Sequence, residues 1–532
     1  MFLVRSESGG RFRGIPGVSA VVGEAARVLG TPGRDVLVFE GTLHPDTGLD
    51  LDGVLKLCRS GPLLKGWRQI RGRYAGVYLT AAERTAVAFT DHLGSHEVYY
   101  WHDGARFAVG DAFAALVRGL PGAARRLDTA AAEEFTALGL MVGGKTFAGG
   151  VRRLAAGSTL TLRPDGAKVD RFWRYTMDSS RRPDRDLDDA VDECWALLTT
   201  SADRVRSELG ANGTVLLGLS GGMDSRLTAV LCRQAGIRVF PYFFGERQSD
   251  AARVAGAVAQ RLGLALHFPG SNRSFPDLFR QSVDHQPMAD LEWCKYLTGR
   301  EDLLRALPPM AGLMSGHLGD HLLGNWSPRA SRGPDDDGQL AAELVSMCAL
   351  EPLGAQAAER IAAAVRLQLA EIGGSVLQRK QGFWFHCMNP SVRRCGLFHQ
   401  FSTLPHFSLF EEAGVTDFAL SLPPRWHLRN RFYSRLYERH APDLHPARLP
   451  VENGSNDHKP VERWLTGNPL LREKVAELVD LREPVDVCDP ALTFAAAVAE
   501  ITAGRASRTW IHRFFRHLTV RAYQHAFEEG GS

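Results

Sequence analysis

One stretch decides how this chain is interpreted: Val215-Leu216-Leu217-Gly218-Leu219-Ser220-Gly221-Gly222-Met223-Asp224-Ser225. It opens with an apolar run that predicts a buried strand, passes through a glycine turn, and leads into a helical pattern from Arg226. Such a turn aims backbone N–H groups and a helix N-terminus at one point, which favours an anion. Gly221 and Gly222 allow the backbone to approach a phosphate closely.

Side chains of the same stretch supply groups that suit a magnesium–phosphate complex. Ser220 and Ser225 offer hydroxyls, and Asp224 offers a hard oxygen for Mg²⁺. The spacing differs from that of the G-x-x-x-x-G-K-[ST] loop, and no Walker lysine follows. A chance strand–turn–helix with polar turn residues is the alternative, although every specified position of S-G-G-x-D-S is present directly after a hydrophobic strand.

A second glycine-containing turn follows a later predicted strand. The strand is Leu313-Met314-Ser315, and the turn reads Gly316-His317-Leu318-Gly319-Asp320. In parallel sheets ligands bind beyond the carboxyl ends of the strands. Mg²⁺ usually takes one or two protein carboxylates together with phosphate oxygens. We therefore predict Asp224 and Asp320 as metal ligands, with a purely structural turn as the alternative.

The composition is that of a large globular chain. At 532 residues it is long for a single core, so two or more domains are expected. The formal charge of +3 gives no sign of a nucleic-acid or anionic-membrane partner. No signal-peptide h-region or apolar run of about 18 residues is present, and the eight scattered cysteines form no C-x-x-C pair. A cytoplasmic protein with reduced thiols is expected.

The pattern of the sequence changes between residues 178 and 187. Before this point, β-rich runs with turn signals predict strands at 36–40, 74–79, 85–90, 98–101, 107–109 and 158–162, with a helix at 130–138. The charged, proline-bearing segment 179–186 is expected to be a linker. The predicted domains are therefore 1–178 and 187–532.

The second domain alternates strands with helices, which predicts a parallel sheet. A long helix is expected at 190–209, and strands are expected at 215–219, 238–244 and 313–315. The Pro/Gly/Asp-rich segment 327–338 is expected to be a mobile loop, and a helix-rich tail is expected from about residue 338 onward.

The motifs resemble those of a known group of enzymes. The first turn resembles the SGGxDS pyrophosphate loop of the N-type ATP pyrophosphatases, which cleave ATP to AMP and pyrophosphate. Over most of its length the chain resembles the asparagine synthetase superfamily, whose second signature is matched by Ser315-Gly316-x-x-Gly319-Asp320. Weaker matches occur in the same order as in that family: Asp91-His92-Leu93-Gly94 with Tyr99-Tyr100, Ser249-Asp250-Ala251-Ala252-Arg253, Gln286-Pro287-Met288-Ala289-Asp290 and Phe418-Ala419-Leu420-Ser421-Leu422-Pro423.

The resemblance implies an α/β fold class. It implies an N-terminal Ntn-glutaminase-like α+β sandwich, then an adenine-nucleotide α-hydrolase-like (PP-loop) parallel sheet with a helical tail. Working glutaminases of this family carry a nucleophilic cysteine directly after Met, where this chain has Phe2. The segment expected to match an N-G-E-I-Y-N-like loop reads Glu40-Gly41-Thr42-Leu43. Phenylalanine cannot attack an amide carbon, so glutamine hydrolysis is not expected.

The resemblance also implies ATP and Mg²⁺ at the two turns. Backbone groups of Leu217, Gly218, Phe243 and Gly316 are expected to face the adenine, an inference from the fold rather than from a motif. The full set of predicted ATP- and pyrophosphate-binding residues is Leu217, Gly218, Ser220, Gly221, Gly222, Asp224, Ser225, Phe243, Ser315 and Gly316.

The chemistry implied is formation of an acyl-adenylate followed by attack of an amine. Family members with an inactive glutaminase domain take the amine from the substrate itself; they include β-lactam synthetase, carbapenam synthetase and the lasso-peptide macrolactam synthetases. Lasso-peptide cyclisation is the leading hypothesis, because the tyrosine of the β-lactam synthetases is not evident here. The alternatives are a β-lactam-type synthetase and an amidotransferase that uses ammonia or an amine.

These hypotheses imply different partners. The substrate is expected to be a peptide or a small-molecule carboxylate, and a lasso cyclase would work with a leader-recognition protein and a leader protease. RNA thiolation is disfavoured, because neither a basic face nor paired cysteines are evident.

Three further residues are candidate catalytic groups. His317 is a candidate general base, because histidine titrates near neutrality, and Glu351 is its candidate partner. Lys459, in the polar stretch 454–460, is the candidate for stabilising the charge that develops as pyrophosphate leaves or a tetrahedral intermediate forms. The alternative for each is a polar residue that lines the site or lies in solvent.

Overall fold

The computed structural model describes most of the chain. The described residues are 2–13, 15–44, 47–60, 64–82, 85–163, 166–178, 185–210, 213–243, 247–269, 312–324, 333–349, 353–388, 404–449, 494–503 and 508–529. They belong to two compact units. The first contains Met1–Glu134, Met141–Tyr175 and Tyr523–Ser532, and the second contains Phe135–Leu140 and Thr176–Ala522. The domain boundaries at 178 and 187 stay a prediction.

The first unit contains two antiparallel sheets. The strand order is β2-β1-β8-β7-β9 in one and β11-β10-β6-β5-β4-β3 in the other. The strands are β1 (Phe2–Phe12), β2 (Ile15–Val22), β3 (Ala26–Leu29), β4 (Asp35–Leu43), β5 (Gly72–Thr80), β6 (Thr85–Thr90), β7 (Tyr99–His102), β8 (Phe107–Gly110), β9 (Arg152–Arg153), β10 (Ser158–Arg163) and β11 (Gly166–Arg171). The helices are α1 (Leu51–Arg59), α2 (Leu64–Trp67), α3 (Phe113–Arg118) and α4 (Thr129–Leu138), the last of which continues into the second unit.

A hydrophobic core joins the two sheets. Val36 and Val38 alternate along β4 and pack in one cluster with Phe2 of β1, as the period of a pleated strand requires. The residues between them face the other way: Phe39 packs in a second cluster with Trp67 of α2. The six-stranded sheet is therefore buried on both faces, by strands on one side and by helices on the other, which defines an α+β sandwich.

The second unit is built on a four-stranded parallel sheet in the order β13-β12-β14-β15. Its strands are β12 (Thr214–Gly218), β13 (Arg238–Tyr242), β14 (Gly312–Ser315) and β15 (His406–Ser408). The chain passes from β12 to β13 on one side and later continues at β14 on the other side of β12. The strand order therefore reverses between β12 and β14, the position at which parallel sheets bind ligands.

Helices account for most of the remaining described residues of this unit. They are α5 (Leu187–Leu209), α6 (Met223–Gln234), α7 (Asp250–Arg261), α8 (Gly319–Leu323), α9 (Asp337–Cys348), α10 (Ala355–Ile372), α11 (Val376–Phe383), α12 (Ala413–Leu420), α13 (Pro424–His427), α14 (Arg431–His440), α15 (Phe494–Thr502) and α16 (Arg508–Glu529), the last of which continues into the first unit from Tyr523. A π-helical turn at Trp384–Met388 and 3₁₀ turns at Leu409–Glu411, Pro442–Leu444 and Pro446–Arg448 complete the set, and one further 3₁₀ turn, Gly122–Arg125, belongs to the first unit. No helix within the described ranges is long and apolar enough to cross a membrane.

The predicted fold class is confirmed: antiparallel sheets form an α+β sandwich, and a parallel sheet with helices follows. Each predicted strand and both predicted helices match an observed element, although the strand predicted at 238–244 ends at Tyr242. The prediction of a loop at 327–338 is wrong for its last two residues, which belong to a helix. Asp336 accepts a hydrogen bond from the backbone N–H of Gln339 at 2.9 Å, and this cap starts α9 at Asp337.

Candidate nucleotide and metal site

The two signature turns begin at neighbouring strand ends. Leu217 of β12 lies opposite Met314 of β14 in parallel register, so S-G-G-M-D-S and G-H-L-G-D leave the sheet at the same edge. The structure therefore brings together the two segments that the sequence predicted as halves of one site.

The first turn is closed by its own hydroxyls. Gly221 has φ +79°, and an added Cβ there would lie 3.0 Å from Cγ1 of Val254, so glycine is needed for both backbone conformation and space. The backbone N–H of Ser220 donates to Oγ of Ser225 at 3.2 Å, and the two hydroxyl oxygens are 3.0 Å apart. Gly222 caps α6 without a side-chain hydrogen bond, which leaves the first N–H groups of this 12-residue helix for an anion.

A buried arginine, Arg226, holds the backbone of the first turn by hydrogen bonds. Arg226 is 4% exposed, and its guanidinium donates to the carbonyl oxygen of Gly221 and, at 2.9 Å, to that of Leu444. The bonds tie the turn to a segment more than 200 residues later in the chain. The sequence did not predict this role of Arg226. The arginine directly follows the S-G-G-M-D-S motif, but that position does not indicate its partner at Leu444.

The second turn packs directly on Asp224. A Cβ added at Gly316 would lie 2.6 Å from Cβ of Asp224, and one added at Gly319 would lie 2.5 Å from Oδ1 of the same side chain. Both glycines of the second signature are therefore required by this close approach. Leu318, between them, has φ +71°, a strained conformation for a leucine that the surrounding packing must hold.

The carboxyl of Asp224 lies in an electrostatically costly position. Burial, and then the nearby carboxylate of Asp320, raise the pKa of Asp224 to about 7. Hydrogen bonds from the hydroxyl of Tyr433, at 2.7 Å, and from the backbone N–H of Asp320 act in the opposite direction. A divalent cation would relieve this crowding of negative charge.

The donor set fits Mg²⁺ that is shared with a polyphosphate. Asp224 is partly buried and Asp320 is exposed, so they present hard oxygens where a ligand could enter. Within the described residues no cluster of three or more acidic, cysteine or histidine side chains forms a metal cage. Two carboxylates without further protein ligands suit an ion whose other positions are filled by phosphate oxygens and water.

His317 has a carboxylate neighbour, Glu411, that the sequence did not predict. The Nε2 atom of His317 lies 3.7 Å from Oε1 of Glu411, in the 3₁₀ turn that follows β15. The backbone of His317 is held on both sides: its N–H donates to Oγ of Ser315 at 3.3 Å, and its carbonyl accepts from Oγ of Ser408 at 2.8 Å. Glu351 and Lys459 lie outside the described residues, so their roles stay predictions.

The adenine contacts predicted for Leu217, Gly218 and Phe243 stay a prediction, although one backbone group of Phe243 is already engaged. The backbone N–H of Phe243 donates to the carbonyl oxygen of His267 at 2.9 Å, so this amide is engaged in a parallel bridge. Leu217 and Gly218 lie within the β12 ladder, opposite Pro241 and Tyr242 respectively. An adenine base at this edge would therefore contact backbone N–H or C=O groups that are not engaged in the hydrogen bonds of the sheet.

The N-terminal position of the first unit is part of the core. Phe2 is fully buried, and its backbone N–H donates to Oδ1 of Asp111 at 2.8 Å. Burial, and then the carboxylate of Glu40, raise the pKa of Asp111 to about 7. Glu40–Leu43 belongs to β4, and Gly41 has φ +112° with a Cβ position blocked by the carbonyl of Arg73. A side chain without a nucleophile therefore fills the place where the resemblance expects one.

Asp91, in the predicted D-H-L-G motif, has a structural task in the same unit. It is 1% exposed and accepts hydrogen bonds from the backbone N–H groups of Tyr74, Leu93 and Ser95 at 3.1, 2.9 and 2.9 Å. These bonds shape the turn that leaves β6.

Comparisons with known proteins give a short sequence match. The chain is 45% identical over 58 residues to a 7-cyano-7-deazaguanine synthase of Synechococcus sp. (strain RCC307). The matched segment covers 10% of this chain and 26% of the relative. The match therefore spans about a quarter of that relative's length. No protein-family model matches the chain.

Two solved structures are also similar. One is a glutamine phosphoribosylpyrophosphate amidotransferase from B. subtilis complexed with ADP and GMP, at 10% identity and a TM-score of 0.22, covering 63% of this chain and 77% of the other. The second, described as the allosteric regulatory enzyme of purine biosynthesis, has 12% identity and a TM-score of 0.21, covering 52% of this chain and 76% of the other. Similarity at these TM-scores carries no functional conclusion.

Proposed function

We propose that this chain is an ATP-dependent amide synthetase of the asparagine-synthetase type, which forms AMP and pyrophosphate. One observation carries the proposal: both signature turns, the N-terminus of α6 and the backbone N–H of Asp320 meet at the carboxyl of Asp224. The sequence match to a synthase, although short, supports the same general class.

The residues at this edge of the sheet suit the first half of such a reaction. An oxygen of the substrate carboxylate attacks the α-phosphorus of ATP, and the bond to pyrophosphate breaks, with pyrophosphate taking the electron pair. The free N–H groups of α6 and the hydroxyls of Ser220 and Ser225 would bind the phosphates. Mg²⁺ held by Asp224 and Asp320 would neutralise charge on the departing pyrophosphate.

The second half requires removal of a proton from an amine. The amine nitrogen attacks the acyl carbon, the bond from that carbon to AMP breaks, and the nitrogen loses a proton. His317 follows β14 at the same edge as Asp320, and Glu411 faces its Nε2. In this arrangement Glu411 orients the imidazole, and Nδ1 accepts the proton.

The substrate we propose is a peptide whose N-terminal amine is joined to an Asp or Glu side chain, as in lasso-peptide macrolactam formation. This finer assignment is supported by the sequence resemblance and by Phe2, which fills the place of a glutaminase nucleophile. Without a glutamine-derived amine, the nitrogen comes from the substrate or from free ammonia, and we propose the substrate. A β-lactam-type synthetase and an ammonia-using amidotransferase are outcomes that the substrate test below would distinguish.

The test of the site is ATP–pyrophosphate exchange by the purified chain and its variants. Asp224→Asn and Asp320→Asn should each lower exchange by at least about 100-fold, because each removes one charge from the metal site. Both variants should keep the thermal unfolding temperature, since the change removes crowded negative charge. Asp52→Asn, at an equivalent first-turn position of α1, is the control and should exchange normally. Full activity of Asp224→Asn would refute the two-carboxylate site.

A further inference from the structure

A helix from the C-terminal half of the chain lies against the start of α6. Two tyrosines of α14, one turn apart, point their hydroxyls at it. The Tyr433 hydroxyl donates to Oδ1 of Asp224 at 2.7 Å, whereas the Tyr437 hydroxyl donates to the carbonyl oxygen of Met223 at 2.5 Å. Both rings are buried and lie 5.8 Å apart. The two tyrosines therefore differ mainly in the hydrogen-bond acceptor of the hydroxyl, which is a carboxylate for Tyr433 and a backbone carbonyl for Tyr437.

We propose that Tyr433 is a positioning residue, which fixes the Asp224 carboxylate in the orientation that binds a divalent cation together with the phosphates of ATP. The proposal rests on the proposed function, because it assigns a role within that nucleotide site. Nothing in the motifs of the chain indicates it, since Tyr433 lies 209 residues after Asp224.

Geometry explains why Asp224 needs such a partner. Its carboxylate packs against the glycine backbone of the second turn and is repelled by a second carboxylate, that of Asp320, so a group that donates a hydrogen bond to it offsets this repulsion. A hydroxyl that donates to an ionised carboxylate makes a charge-assisted bond, roughly twice as strong as a neutral one. The buried ring of Tyr433 holds this donor in place.

Outer partners of metal ligands have a known scale of effect. Their removal typically lowers metal affinity about 10–100-fold while leaving the ligands themselves in place. Tyr433→Phe removes the hydroxyl and keeps the ring, and Tyr437→Phe does the same one turn along the same helix. The second variant is therefore a matched control for burial, helix position and ring packing.

The experiment uses the full chain, Mn²⁺ as the cation and α,β-methylene-ATP as a nucleotide that cannot be cleaved between its α- and β-phosphates. Bound Mn²⁺ is followed by electron paramagnetic resonance and its affinity by titration at saturating nucleotide, with thermal unfolding as a check of folding. Tyr433→Phe should bind Mn²⁺ about 10–100-fold more weakly than the wild type. Tyr437→Phe should stay within about twofold of the wild type, because it keeps the carboxylate partner.

The outcomes separate this inference from the proposed function. Failure of the wild-type chain to bind Mn²⁺ with the nucleotide would overturn both. Normal wild-type binding with an unchanged affinity in Tyr433→Phe would overturn the role of Tyr433 alone. An equal loss in both tyrosine variants would show that α14 acts only by packing, which also contradicts the proposal.

Discussion

The imidazole of His317 lies with Nε2 3.7 Å from Oε1 of Glu411, a carboxylate that is 2% exposed. The two residues follow adjacent parallel strands, since Ser315 of β14 is in register with Ser408 of β15. A buried carboxylate beside one imidazole nitrogen sets which nitrogen is left to take a proton. The 3.7 Å separation is that of an ion pair, and orientation of the imidazole by Glu411 belongs to the proposed function.

Glu411→Gln should separate the two halves of the proposed reaction. Amide formation should fall about 100-fold, at the lower end of general-base contributions, because the imidazole loses the carboxylate that orients it. ATP–pyrophosphate exchange should remain within about twofold of the wild type, since phosphate binding does not involve Glu411. Both rates are measured with the same linear peptide.

Glu412→Gln is the neighbouring control. Its carboxylate accepts from the backbone N–H groups of Gly414 and Val415 and pairs with Arg204, and none of these contacts involves His317. An equal loss of amide formation in both variants, or a parallel loss of exchange in Glu411→Gln, would contradict a specific pairing with His317.

Gly319→Ala should abolish nucleotide-dependent metal binding. The new Cβ would lie 2.5 Å from Oδ1 of Asp224, so either the carboxylate or the second turn must move. Gly256→Ala, within α7, meets no atom within 4 Å and should stabilise the protein by up to about 1 kcal/mol. Calorimetric titration with Mg²⁺ and α,β-methylene-ATP would show the difference, and unchanged binding by Gly319→Ala would refute the close approach.

Arg226→Lys should destabilise the second unit by about 2 kcal/mol or more. A lysine cannot reach both the Gly221 and Leu444 carbonyls, and each buried acceptor left without a partner costs about 1–3 kcal/mol. Arg233 is exposed in the last turn of the same helix, and its guanidinium donates to the carbonyl oxygen of Leu262; a lysine keeps one donor for it, so Arg233→Lys should change stability by about 1 kcal/mol or less. Urea denaturation followed by tryptophan fluorescence measures both, and equal effects would argue against the special role of Arg226.

The first unit should lose stability in acid through Asp35. The Arg59 guanidinium donates to this buried carboxylate and lowers the pKa of Asp35 to about 2, from an ordinary value of 3.8. The folded state therefore binds fewer protons than the unfolded state in this interval, so the contribution is complete above about pH 4 and is lost as the pH falls towards 2. Arg59→Met should flatten this part of the stability profile, whereas Lys56→Met, on the same helix, should not. A steeper acid dependence in Arg59→Met would contradict the assignment.

Sequence reasoning predicted the strands that carry a clear pattern. β4 and β5 contain continuous apolar runs rich in β-branched and aromatic residues, and Val215–Gly218 is an apolar run ahead of a glycine turn. It missed β15, because three residues are too few to show a period. It also missed β1, where Ser6-Glu7-Ser8-Gly9-Gly10 interrupts the apolar pattern.

The residues of the candidate site also fall into those that the sequence predicted and those that it missed. Ser220–Ser225 and Ser315–Asp320 are local motifs, so their chemistry is visible in the sequence. Tyr433 and Glu411 act through contacts across 209 and 94 residues of chain, and no spacing within a motif encodes such contacts. A long-range partner is therefore found only when the fold brings it to the motif.

The measurement that tests the central claim most directly is Mg²⁺-dependent ATP–pyrophosphate exchange by the purified chain. The panel of carboxylates would contain leader-free linear peptides, β-amino acids, and aspartate with ammonia. The account predicts exchange with a linear peptide, loss of exchange in Asp224→Asn, and a product lighter by one water. Exchange only with a small amino acid would contradict the peptide assignment, and no Mg²⁺-dependent exchange with any member would contradict the proposed synthetase itself.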